Sequence, residues 1–153
     1  MTNDTRVSVV MGSKSDEAHI EPAFKLLDEF GIKWEKQILS AHRQPDELRR
    51  YIEDADARGI AVFIAAAGLA AALPGVMAAH TLKPVIGIPV PGGPLKGIDA
   101  LLSIVQMPGG IPVATVGIGS NGPKNAAVLA ARILSLSDGA IGKKLQEHRD
   151  SMR

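Results

Sequence analysis

The chain has 153 residues, one domain's worth, with a formal net charge of +1. So even a balance gives no electrostatic reason to expect nucleic acid or a membrane surface as partner. No cysteine is present, which excludes disulfides, Cys-ligated zinc, iron–sulfur clusters and a cysteine nucleophile.

Apolar residues make up 46% of the chain, enough for a packed core. The opening MTNDTRVSVVMG has too short an apolar run for a signal peptide, and no run approaches the ~20 residues of a membrane helix. A soluble, cytoplasmic protein is expected. Short β-rich runs then alternate with helical patterns. Arg6–Met11 reads as a buried strand. A helix follows Ser15, with Ile20, Ala23, Phe24, Leu27 and Phe30 at three- and four-residue steps and Gly31 at its end. Trp34–Leu39 is a second strand. Pro45 suits a first helical position, and Leu48, Tyr51, Ile52 and Ala55 make one face before Gly59 closes the helix. Ala61–Ala67 is a third strand, Ala70–His80 a helix apolar nearly all round, and Pro84–Val90 a fourth strand. Residues 91–97, PGGPLKG, form a turn-rich loop before a short helix at Ile98–Val105. Ile111–Ile118 is a fifth strand. Asn121–Ser137 is a long helix capped by Asn121, Gly139 breaks it, and a last polar helix runs over about 139–153.

Strands followed by helices, with near-continuous apolar runs, predict a three-layer α/β sandwich over residues 1–153. The expected sheet is parallel and flavodoxin-like, in order 2-1-3-4-5. In such sheets ligands bind beyond the carboxyl ends of the strands. Residues 12–16, 40–45, 67–74 and 91–97 are therefore expected along one edge.

These loops differ in chemistry. In GSKSD, free amides at a helix start, with Ser13 and Ser15 as hydroxyl donors, suit an anion. Asp16 would repel a phosphate but suits a ribose diol. The plainer reading is N-capping by Ser15. In SAHRQP, Arg43 can grip a phosphate bidentately and His42 titrates near neutrality. The plainer reading is a solvated His–Arg pair. AAAGLAAALPG offers only backbone and a tight, dry wall, as any close-packed helix would. Gln106 is a weaker candidate for a ligand or subunit contact. No His, Asp or Glu pair has metal-ligand spacing.

Taken together, MGSKSD, SAHRQP, AGLAAALPG, PVIGIPV, LLSIVQMPGGIPVATV and NAAVLAARIL resemble the AIR carboxylase family of purine biosynthesis in order and interval. The resemblance spans about residues 6–137. It implies conversion of N5-carboxyaminoimidazole ribonucleotide to 4-carboxy-5-aminoimidazole ribonucleotide without metal, biotin or ATP. It also implies an octamer with sites near subunit junctions. Carried over by position, Ser13, Asp16 and Arg43 match substrate-binding residues. Ser40 and the backbone at Ala67 and Gly68 match the nucleotide pocket, and His42 matches the family's essential histidine. The implied chemistry releases CO2, keeps it in a closed pocket and recaptures it on carbon. Arg43 with Ser13 and Ser15 would hold the phosphate, and His42 would move the proton.

One segment departs. Typical bacterial members read AGGAAHLPG where this chain has AGLAAALPG, so Leu69 replaces a glycine and Ala72 a histidine. This leaves direct carboxylation of aminoimidazole ribonucleotide as the alternative. A flavodoxin-type flavin-binding module is poorly supported, because the chain has 1 Trp, 1 Tyr and 3 Phe to stack on a ring.

Overall fold

The computed structural model describes residues 4–153. The first three residues of the expected 1–153 domain, which open MTNDTRVSVVMG, lie outside the described residues. The strands are β1 (Val7–Met11), β2 (Trp34–Ile38), β3 (Val62–Ala67), β4 (Val85–Pro89) and β5 (Ala114–Thr115). The helices are α1 (Glu17–Glu29), α2 (Pro45–Arg58), α3 (Leu73–His80), α4 (Ile98–Val105), α5 (Asn121–Ser135) and α6 (Gly139–Asp150). All strand pairs are parallel and the order is β2-β1-β3-β4-β5, as the alternation predicted.

Side chains alternate across the three central strands, and each set meets its own helices. Val7, Val9, Met11, Val62, Ile64, Ala66, Ile86 and Ile88 pack against α1 and α5. Val10, Phe63, Ala65, Ala67 and Val85 pack against α2, α3 and α4. Strands β1, β3 and β4 are buried throughout, which is why they read as continuous apolar runs. Two strands differ from expectation. β2 is an edge strand, exposed from Lys36 to Ile38, and its polar residues face water rather than a second helix layer. β5 has only 2 residues, because Pro112 and the glycines around it cannot extend the ladder.

Helix ends follow their residues, with small displacements. Pro45 opens α2, and Gly59 closes it at φ 92. The cap before α1 is Ser13 rather than Ser15, because a 3-10 turn at Lys14–Asp16 intervenes. Ser120, not Asn121, holds the cap position of α5, and it makes no side-chain cap bond. Gly139 begins α6 instead of merely ending α5, with the Asp138 carboxylate accepting from the Ala140 and Ile141 amides.

A polar chain ties α2 to the sheet. Ser8, wholly buried in β1, lies 2.6 Å from the Tyr51 hydroxyl, which donates to Glu35 at 2.7 Å. Arg58 donates to both Glu35 oxygens, at 2.9 and 2.7 Å, and to Asp54 at 2.7 Å. The Arg58 hydrogen bonds hold the Glu35 carboxyl below its ordinary range, while burial raises the Tyr51 phenol. Across β4, Gly87 admits α4: a Cβ there would strike Ile104 Cγ2 and come within 2.9 Å of Val113 Cγ1.

Apolar side chains remain outside these layers. Ile98, Leu102 and Val105 of α4 are exposed, together with Leu95 and Ile111 in its flanking loops. The sequence pointed to the alanine-rich α3 for such a surface, but Leu73, Pro74 and Met77 of that helix are buried.

Candidate active site

The carboxyl ends of β1, β2, β3 and β4 are aligned by register, Met11 with Ile38 and Ala66, and Ala67 with Pro89. Three further amide bonds carry the ladder past the strand ends: Leu39 to Met11, Gly12 to Ala66 and Val90 to Ala67. The chain leaves β1 toward β2 on one side and returns to β3 on the other. A crevice opens where those directions part. It is a cleft of about 640 Å³, lined by all eight residues singled out from the sequence: Ser13, Ser15, Asp16, Ser40, His42, Arg43, Ala67 and Gly68.

The first loop is held by its own hydroxyls. Ser13 accepts from the Ser15 amide at 3.3 Å, and the two hydroxyls lie 2.9 Å apart. Both are exposed to the cleft and free to turn toward a ligand. Asp16 is 9% exposed. Burial pushes its carboxyl above the ordinary range, while a backbone hydrogen bond at Ser13 and the charge of His19 act the other way.

The second loop is a braced turn. The Ser40 hydroxyl accepts from the Arg43 amide at 3.2 Å, and the Gln44 side chain accepts from the Ser40 amide at 3.2 Å. The Gln44 amide donates to the Ser40 carbonyl at 2.8 Å. These bonds leave His42 and Arg43 exposed at the cleft while fixing the backbone that carries them. Pro45 then starts α2 directly behind the turn.

The opposite wall has no titratable side chain. Leu69, Ala71, Ala72 and Leu73 form it with Val90, Pro91, Gly92 and Gly93. His42 is the only imidazole among the cleft-lining residues, and no aromatic ring lines the cleft. Leu69 has φ 53 and Lys96 φ 53; among the described residues these are the non-glycine positions with positive φ. Each such position costs roughly 1–2 kcal/mol. Both lie in loops that follow central strands at this edge.

Residues of the 90–93 segment were placed at this edge by topology, but nothing in their side chains marks them as contacts. Gln106, the weaker candidate, ends α4 and lies outside the cleft lining. A larger groove of about 820 Å³ runs between α1, α5 and α6 past Lys25, Lys124, Arg132 and Arg149. Its cations are spread along helix surfaces away from the strand ends, so we place the site in the smaller cleft. Among the described residues no group of three or more His, Cys, Asp or Glu side chains is gathered as for a metal ion.

The AIR carboxylase family model matches residues 6–153. The chain belongs to the AIR carboxylase family. It is 52% identical over 147 residues to the N5-carboxyaminoimidazole ribonucleotide mutase of Bacillus subtilis, covering 96% of this chain and 91% of the relative. It is 51% identical over 148 residues to the mutase of the same name from Pyrococcus abyssi, covering 97% and 84%. A crystal structure of Treponema denticola PurE superposes with a TM-score of 0.86 at 34% identity, covering 95% of this chain and 89% of that one. The family membership agrees with the motifs, and the structural likeness agrees with the sheet order they predicted.

Proposed function

We propose that this protein is an isomerase that converts N5-carboxyaminoimidazole ribonucleotide to 4-carboxy-5-aminoimidazole ribonucleotide in purine biosynthesis. The observation that carries this reading is the cleft itself. In a member of this family, the cleft brings anion donors, one imidazole, one guanidinium and an apolar wall to one place. The names of relatives at about half identity favour it over direct carboxylation.

The chemistry divides between the walls. Arg43 and the Ser13 and Ser15 hydroxyls bind the phosphate, and Asp16 accepts from the ribose hydroxyls. Ser40 braces the turn and borders the nucleotide with Ala67 and Gly68. The bond between the exocyclic nitrogen and the carboxylate carbon breaks, its electron pair stays on nitrogen, and protonated His42 supplies that nitrogen a proton. Ring carbon C4 then attacks the released CO2, and neutral His42 removes the C4 proton as the ring regains its aromaticity. The net change moves one carboxylate from nitrogen to carbon and one proton from carbon to nitrogen. A single imidazole closes the cycle, which suits a chain with alanine at position 72.

The reading extends to assembly and location. Leu95, Ile98, Leu102, Val105 and Ile111 form an exposed apolar surface that a second copy would cover, consistent with a homo-oligomer of octameric size. Among the described residues no helix is long and apolar enough to cross a membrane. A cytoplasmic enzyme fits that fact and the pathway.

The test is an assay of the purified protein with each substrate. The expected result is rapid conversion of the N5-carboxylated nucleotide. Carboxylation of free aminoimidazole ribonucleotide at low bicarbonate, with no action on the N5-carboxylated compound, would replace the isomerase by a carboxylase.

A further inference from the structure

We propose that Leu69 retains CO2 in the cleft, its side chain lying across the mouth against Gly93 while the carboxylate is between nitrogen and carbon. The inference rests on the isomerase reading above and assigns one step of it to one side chain.

Leucine is a poor choice for the backbone at this position. With φ 53, residue 69 sits where glycine is unstrained and a Cβ is not. Strain of this kind persists where the surroundings hold it and a function uses it. Core packing does not explain the residue, because Leu69 is 56% exposed. It is the exposed large apolar side chain of the cleft lining, whereas Leu73 and Val90 are buried.

The side chain reaches from one loop to the next. A Cβ built on Gly93 would lie 2.6 Å from Leu69 Cδ2, so the leucine rests directly on the Gly93 backbone. Gly93 itself has φ 62. Two left-handed residues, one after β3 and one after β4, thus meet at the rim. The neighbouring Ala71 and Ala72 carry only methyl groups and cannot span that distance.

The intermediate dictates what kind of group can hold it. CO2 is small and uncharged, so neither Arg43 nor the serines can grip it as they grip a phosphate. Its escape and the entry of water are delayed by an apolar obstruction. Holding it beside C4 turns recapture into a reaction between neighbours. Without the obstruction, CO2 leaves and the first step ends as free aminoimidazole ribonucleotide.

The experiment follows the carboxylate carbon in the full-length protein. Substrate labelled with 13C in its N5-carboxylate is turned over in unlabelled bicarbonate, and label in the product is measured above the uncatalysed background. Wild type and L69M are expected to retain most of it. L69G and L69A are expected to lose about half or more and to release several-fold more free aminoimidazole ribonucleotide. Product-nucleotide affinity should stay within about twofold of wild type, and the melting midpoint of L69G should not fall, since glycine tolerates this φ. Wild-type label retention in both truncations overturns the inference and leaves the isomerase reading intact. A leak in L69G alone assigns the effect to backbone freedom and also overturns it. A wild-type protein that carries none of the N5-carboxylate carbon into product overturns the isomerase reading, and the role of Leu69 with it.

Discussion

The two walls of the cleft are built in opposite ways. The first and second loops form a polar wall whose shape comes from hydrogen bonds among its own residues: Ser13 to Ser15, Ser40 to Arg43, Gln44 to Ser40. The third and fourth loops form an apolar wall with no such side-chain bonds, held by positive-φ residues and close contact. On the polar wall function resides in particular groups, each removable without disturbing its neighbours. On the apolar wall it resides in shape, so a substitution acts through the space it opens or fills.

The sharpest way to break this division is at His42. H42N should lower kcat by about 10²–10⁴-fold, the range of general acid–base catalysis, with product-nucleotide affinity within about twofold. Wild-type turnover by this variant would remove His42 from the chemistry. Next comes Arg43. R43A should raise KM by about 10–100-fold, the equivalent of one charge-assisted anchor, with a smaller effect on kcat. A KM that does not move would shift the phosphate elsewhere.

Behind the apolar wall the test is stability. G87A places a methyl group against Ile104 Cγ2, which is fixed to a β-branched carbon and cannot swing away. A loss of about 1–3 kcal/mol in urea unfolding is expected. An unchanged midpoint would mean that α4 moves freely over β4.

The smallest effect is at Asp16. Burial raises its folded pKa, so its contribution to stability is greatest below the unfolded value and is lost as pH rises through the folded value. D16N should therefore melt slightly higher than wild type at neutral pH, with the difference vanishing in acid, and should bind nucleotide less tightly. Equal melting at both pH values would show that the carboxylate is not held at a cost for its ligand.

How much of this was legible depended on where the information sits. Continuous apolar runs revealed β1, β3 and β4, and the alternation of strands and helices led to the sheet order. The polarity of WEKQIL, read as an ordinary strand, was the sign that β2 lies at an edge. Pro112 and the surrounding glycines were the sign that β5 would be brief. In the site, residues with distinctive chemistry declared themselves: His42, Arg43, Asp16 and the serines. The meeting of Leu69 with Gly93 did not, because it depends on two backbone angles and on the approach of loops more than twenty residues apart. The cap at Ser13 escaped for a similar reason. A 3-10 turn displaced the helix start, and either serine satisfies the local pattern.

The strand order has a consequence for how this enzyme comes into being. Every pair of hydrogen-bonded strands is joined through at least one intervening helix, so no hairpin is available to start the sheet. Parallel pairings of this kind require long loops to close before any ladder bond repays them, and they form slowly. The cleft takes residues from the ends of four strands. A chain still emerging from the ribosome has no site until β4 is docked and the loop after it has turned back. Catalysis is thus a property the molecule acquires late and all at once, and measurable turnover during refolding reports completion of the sheet rather than the rescue of a fragment.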